Sequence, residues 1–74
     1  MKPATTNLSR PEAIVRIAKW FAKNRPGQMA DMLSFALKRK ITAAAQMTNP
    51  EIEQVLGYIV LCLGDHGIYG PQYA

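Results

Sequence analysis

The sequence contains few of the residues from which catalytic and metal sites are built. It has a single cysteine, Cys62, and a single histidine, His66. One cysteine cannot form an intramolecular disulfide, which excludes the disulfide scaffold of small secreted domains. Two potential ligands are too few for a closed zinc site, which takes four. We therefore expect the protein to hold no metal and to use no cofactor.

Other catalytic patterns are also missing. Cys62 lies in a run of isoleucine, valine and leucine, where the reactive thiolate form is disfavoured. Glu51 and Glu53 point to different faces of a helix and do not form a carboxylate pair. The five glycines are scattered and make no phosphate-binding loop. We expect that this protein is not an enzyme.

Long apolar segments are absent as well. The longest uninterrupted apolar run is Tyr58–Leu63, far short of the roughly 20 residues that span a bilayer. The first ten residues are polar and do not resemble a signal peptide. The sequence thus predicts a cytoplasmic protein without membrane contact. With 74 residues, we expect a flexible arm over 1–8 and one small helical domain over 9–74.

Charge is distributed very unevenly along the chain. All nine basic residues lie before position 41, opposed there only by Glu12 and Asp31, so this half carries a net charge of +7. Residues 41–74 contain three acidic residues and no lysine or arginine, a net charge of −3. The basic half is suited to bind a polyanion or an acidic protein.

Apolar residues recur at three- and four-residue steps through most of the chain, which predicts an all-α fold. We expect at most one short C-terminal strand, near Ile68–Tyr69. Four helices are predicted, at 9–24, 26–39, 42–47 and 50–64. Their apolar stripes define the expected core: Ile14, Ile17, Phe21, Met29, Leu33, Leu37, Ile52, Leu56, Ile59 and Leu63. Phe35 points off the stripe of its own helix.

The last predicted helix has the clearest ends. Thr48 and Glu51 have the spacing of a capping box, and Gly64 is suited to the left-handed conformation that closes a helix. Its Tyr58–Leu63 segment is apolar nearly all round, which indicates a central helix or contact with a second chain. We expect a homodimer through Tyr58, Leu61 and Cys62, because a two-fold dimer is the commonest form of self-association.

The order of segments resembles a known arrangement. ITAAAQM, then TN, then PEIEQVLGYIVLCL, then GDHGIYG would give a short helix, a tight turn, a capped helix and a glycine turn before a β-prone pair. This resembles the helix-turn-helix core of winged-helix DNA-binding domains over residues 41–70. The resemblance implies a small DNA-binding regulator in which Glu51, Gln54, Tyr58 and Leu61 face the DNA groove.

Residues 50–64 contain no lysine or arginine, so contacts to phosphates would come from the basic half. Gln54 is the residue that could read an adenine edge. The predicted nucleic-acid-binding residues are Arg16, Lys19, Lys23, Arg25, Lys38, Arg39, Lys40 and Gln54. The alternative is a small helical protein-interaction module, an adaptor or inhibitor, that uses the apolar face of the 50–64 helix or meets an acidic partner through the basic half.

Overall fold

The computed structural model describes residues 8–74, and it is mainly helical. Within these residues three α-helices form: α1 at Arg10–Asn24, α2 at Met29–Leu37 and α3 at Asn49–Leu61. Short 3-10 turns follow at Ala44–Gln46, His66–Tyr69 and Pro71–Tyr73. Residues 8–74 contain no strand. The predicted arm lies outside the described residues except for Leu8, which packs against the core.

Local chemistry explains where the helices begin and end. The hydroxyl of Ser9 accepts a hydrogen bond from the amide of Glu12 and starts α1. Arg25, before Pro26, leaves helical geometry and ends α1. The predicted capping box at Thr48 and Glu51 is confirmed, with both reciprocal hydrogen bonds present at the start of α3.

The C-terminal ends of α2 and α3 both use left-handed backbone. Gly64 has a φ of 70°, as the sequence predicts. Lys38 has a φ of 56° and ends α2 one residue after Leu37, which sequence analysis did not foresee, because a lysine is an uncommon choice for this conformation. The helix predicted over 26–39 is shorter in the structure at both ends, since α2 begins at Met29 and ends at Leu37.

The prediction of a fourth helix at 42–47 is wrong. This segment forms only the 3-10 turn Ala44–Gln46, and Ala43 before it is extended. Ile41 and Met47, at its two ends, are fully buried and fix the distance that the segment spans. Three alanines favour a helix, but a segment this short forms one only with tertiary support, and here tertiary contacts favour the extended path.

The predicted β-prone pair Ile68–Tyr69 also forms a 3-10 turn rather than a strand. Ile68 is completely buried and Tyr73 nearly so, and their segment packs along α1. Of the ten predicted core residues, six are buried and four lie half-buried at the edge of the core: Ile14, Met29, Leu37 and Leu63. The interior also includes residues from connecting segments that helical periodicity does not identify: Ile41, Met47, Ile68 and Tyr73.

Candidate interaction surfaces

An apolar groove lies between α2 and α3. It has a volume of about 710 Å³ and is open to solvent. Phe35 stands on the α2 side and Leu61 on the α3 side, and these side chains are 78% and 82% exposed. We call this surface the α2–α3 face; its lining residues are Ser34, Phe35, Ala36, Lys38, Gln54, Gly57, Tyr58, Leu61 and Cys62.

The helical period explains why this face is apolar yet uncovered. α3 buries Ile52, Val55 and Ile59 against the domain, so that Tyr58 and Leu61 lie on the side turned toward solvent. α2 buries Leu33, two residues before Phe35, which places Phe35 outside. Large apolar side chains that stand singly on a surface are ordinary, whereas neighbours that line one groove make that groove a candidate interaction surface.

Gly57 is one of the residues that line the groove. A Cβ built at this glycine meets no atom within 4 Å, so its position is open to a side chain from another molecule. The neighbouring Gln54 spans the groove and donates from Nε2 to the carbonyl of Ala36, at 3.2 Å. This bond joins α3 to the end of α2. Gln54, which was predicted to contact DNA, thus makes a hydrogen bond within the protein.

The three predicted partner-interface residues all line the α2–α3 face. Tyr58 is half-buried, whereas Leu61 and Cys62 are exposed. Phe35, on the facing helix, was not among the predicted site residues. Its departure from the apolar stripe of α2 was the available signal, because a large aromatic residue that points away from the core needs another explanation.

The predicted basic residues do not form one free surface. Arg16, one of the predicted nucleic-acid-binding residues, is buried, with 7% of its surface exposed. Its guanidinium donates from Nη1 to the carbonyls of Ile68 and Gly70, at 3.1 and 2.7 Å. Nη2 lies 3.7 Å from a carboxylate oxygen of Glu12. The helical period placed Arg16 away from the apolar stripe, but the C-terminal segment covers that side of α1.

The other basic residues of α1 also contact the C-terminal segment. Lys19 donates to the carbonyl of Ala74, and the Lys23 amine lies 5.5 Å from the centre of the Tyr73 ring, where a cation–π attraction operates. Nearby, the Trp20 indole donates to an Asp65 carboxylate oxygen at 2.6 Å. Trp20 is buried in the core, and this bond satisfies its indole N–H.

Arg39 is held in an ion pair at the start of α3. Its Nε and Nη2 atoms each lie 2.7 Å from a different carboxylate oxygen of Glu51. Hydrogen bonds from Arg39, and next from the Thr48 amide, lower the pKa of Glu51 to about 2. The same bond to Glu51 raises the pKa of Arg39. The pair neutralises the central cation of the Lys38-Arg39-Lys40 cluster and ties this loop to the capping box.

Arg25, Lys38 and Lys40 are exposed. Within residues 8–74 no hydrogen bond or ion pair holds these three side chains. Among the basic residues of the described part of the chain, these three remain available to an anionic partner. Lys38 is both one of these exposed basic residues and a lining residue of the α2–α3 face.

Two classes of site find no support in the described part of the chain. No group of three or more histidine, cysteine, aspartate or glutamate side chains is placed there to hold a metal ion. None of the described helices is both long and apolar enough to cross a membrane. Comparison with known proteins identifies no relative: no protein-family model, curated protein or solved structure matches this chain.

Proposed function

We propose that this protein is a small, non-enzymatic helical module that binds another polypeptide through its α2–α3 face. The observation that carries the proposal is the groove of about 710 Å³ flanked by Phe35 and Leu61. A volume of this size accommodates one or two large side chains. A helix that lays its apolar face into such a groove is a recurrent mode of peptide recognition.

The contacts that the basic side chains make within the protein support the same proposal. A polyanion surface needs several unpaired cations on one face. Arg16 donates to backbone carbonyls and Arg39 is paired with Glu51. Lys19 and Lys23 contact the C-terminal segment, so four of the seven predicted basic residues already have a partner within the protein. The α2–α3 face, in contrast, has large apolar side chains exposed on both of its helices.

The proposal is tested by selecting amphipathic helical peptides from a displayed library against the parent protein. Selected peptides should bind with micromolar affinity and lose at least tenfold in affinity to the Leu61→Glu variant, because a carboxylate would have to be desolvated in the groove. Leu61 is exposed, so this variant should remain folded.

Val15→Glu is the matched control. Val15 is another exposed apolar residue, at 45% exposure, but it lies on α1 and does not line the groove. Peptides should bind this variant as they bind the parent. Binding that is equally strong to Leu61→Glu, or equally weakened by both substitutions, would contradict the proposed site.

A second candidate function is DNA binding by a helix-turn-helix type regulator, and one observation favours it. Arg25, Lys38 and Lys40 have no partner within the described residues, and cations in this state bind phosphates and release counterions. Titration of mixed duplex DNA at several salt concentrations tests it. Replacing Lys38 and Lys40 together by alanine should reduce the salt slope by up to about two units. An unchanged slope, or no binding at low salt, would count against DNA.

A further inference from the structure

Two opposite charges flank an exposed aromatic residue of α2, one within the helix and one at its C-terminal end. Asp31 and Phe35 are four residues apart in α2 and so share one side of the helix. Lys38, the residue that ends α2, lines the same groove as Phe35. All three are exposed, whereas Leu33 on the other side is buried. Among residues 8–74 neither Asp31 nor Lys38 has a hydrogen-bonding or ion-pair partner. This side of the molecule therefore presents an acid, an aromatic ring and a base in order along α2 and its C-terminal end.

We propose that the polypeptide bound at the α2–α3 face is a second copy of this chain, with the two α2 helices antiparallel about a two-fold axis. The axis passes between Ser34 and Phe35. Asp31 and Lys38 lie at equal distances in sequence on either side of that point, so Asp31 of each copy faces Lys38 of the other. The inference rests on the proposed function, because it assigns the occupant of the same face.

Three features of the arrangement are mutually consistent. A two-fold interface uses the same patch on both subunits, so that patch must be complementary to itself. The antiparallel orientation brings opposite charges together, whereas a parallel one would place Asp31 against Asp31. It also places the N-terminal end of each helix dipole beside the C-terminal end of the other, which is the favourable orientation.

The apolar groove provides the central contact. Phe35 projects from its rim, and the space above Gly57 is open. In the two-fold arrangement Phe35 of each copy enters the groove of the other, where Tyr58 and Leu61 surround the ring. A well-packed aromatic residue at the centre, with charged pairs at the rim, is the usual anatomy of a protein interface.

Charge exchange tests the pairing directly by sedimentation from micromolar to hundreds of micromolar protein. The parent should dimerise. Asp31→Lys places two lysines opposite each other at both ends of the contact, and Lys38→Asp places two aspartates there. Each single variant should therefore dimerise roughly tenfold more weakly, since two exposed pairs change from attraction to repulsion. Far-UV circular dichroism checks that both variants keep the helical content of the parent.

Two combinations distinguish this arrangement from a general loss of association. The double variant with both substitutions should regain the dimerisation of the parent. A mixture of the two single variants should form a one-to-one heterodimer. The Asp31→Lys subunit then carries a lysine at both positions, and each faces an aspartate of the Lys38→Asp subunit. Absence of this recovery and of the heterodimer would overturn the arrangement, even if the parent dimerises.

A parent that remains monomeric at hundreds of micromolar would also overturn the inference. The proposed function is tested separately, by peptide binding to the α2–α3 face. If selected peptides bind in a manner that depends on Leu61 while the parent is monomeric, the α2–α3 face is a binding site for a different protein. If peptide binding does not depend on Leu61 either, both proposals are wrong.

Discussion

The burial of Arg16 leads to a strong prediction about stability. Its guanidinium is the hydrogen-bond donor to the carbonyls of Ile68 and Gly70, and these bonds fasten the C-terminal segment to α1. Arg16→Met keeps most of the side-chain volume but removes the donors. Hydrogen bonds to charged groups contribute about 1.5–3 kcal/mol each, and an unsatisfied buried carbonyl costs a similar amount.

Loss of a buried, imperfectly paired charge offsets part of this cost, and Nε of Arg16 is buried without a partner. We therefore expect Arg16→Met to lower the free energy of unfolding by about 2–3 kcal/mol. The assay is urea denaturation followed by circular dichroism.

The matched control is Lys19→Met, one turn further along α1. Lys19 is exposed and bonds to a single carbonyl, that of Ala74, so its replacement should change the unfolding free energy by less than about 1 kcal/mol. Equal stability of Arg16→Met and the parent would refute the reasoning. So would the same loss in both variants.

Three further predictions concern the core, the α2–α3 face and the capping box. Leu56→Ala should cost about 2–5 kcal/mol in urea denaturation, because Leu56 is buried and its removal leaves a cavity; a near-neutral result would contradict the described core. Phe35→Ser should leave the stability of the monomer within about 0.5 kcal/mol of the parent, since the ring is exposed; a large loss would show that the ring is buried. The lowered pKa of Glu51, about 2 in the folded protein against an ordinary value of 4.5, stabilises the fold above pH 4.5 and is lost as the pH falls toward 2. The urea midpoint should decrease over this range, with a smaller decrease in Arg39→Ala than in the parent; identical pH profiles would contradict the role of the ion pair.

The helices themselves could be predicted from sequence because their signals are local. Thr48 and Glu51 form the capping box that their spacing indicates, and Gly64 takes the left-handed conformation. Periodicity also identified six buried core residues on α1, α2 and α3. These features depend on neighbours within one or two turns of the same helix, which a sequence displays directly.

The connecting segments could not be predicted in the same way. Ile41 and Met47 anchor the path between α2 and α3 from both ends, and this tertiary constraint overrides the helical preference of three alanines. The C-terminal segment packs on α1 and buries Arg16, which periodicity alone places on the outside. Both errors arise from contacts between residues far apart in sequence.

The candidate site was predicted in part. Tyr58, Leu61 and Cys62 were expected at an interface, and they line the α2–α3 face; their binding role stays a prediction. Gly57 was not included, because a groove between two helices depends on how the helices pack. Phe35 was not included either, although its position off the apolar stripe of α2 was a signal in the sequence. Pairing of Arg39 with Glu51 could not be foreseen for the same reason, since these residues belong to different segments.

The reactivity of Cys62 tests most directly whether the α2–α3 face is a binding site. This is the one cysteine of the chain, and it is exposed on the lining of the groove. Its alkylation rate by iodoacetamide is measured with and without a saturating peptide selected against the parent. We predict that the peptide slows alkylation severalfold in the parent and in Val15→Glu, but not in Leu61→Glu at the same peptide concentration. Unchanged alkylation of the parent in the presence of bound peptide would contradict the account, because binding would then occur away from this face.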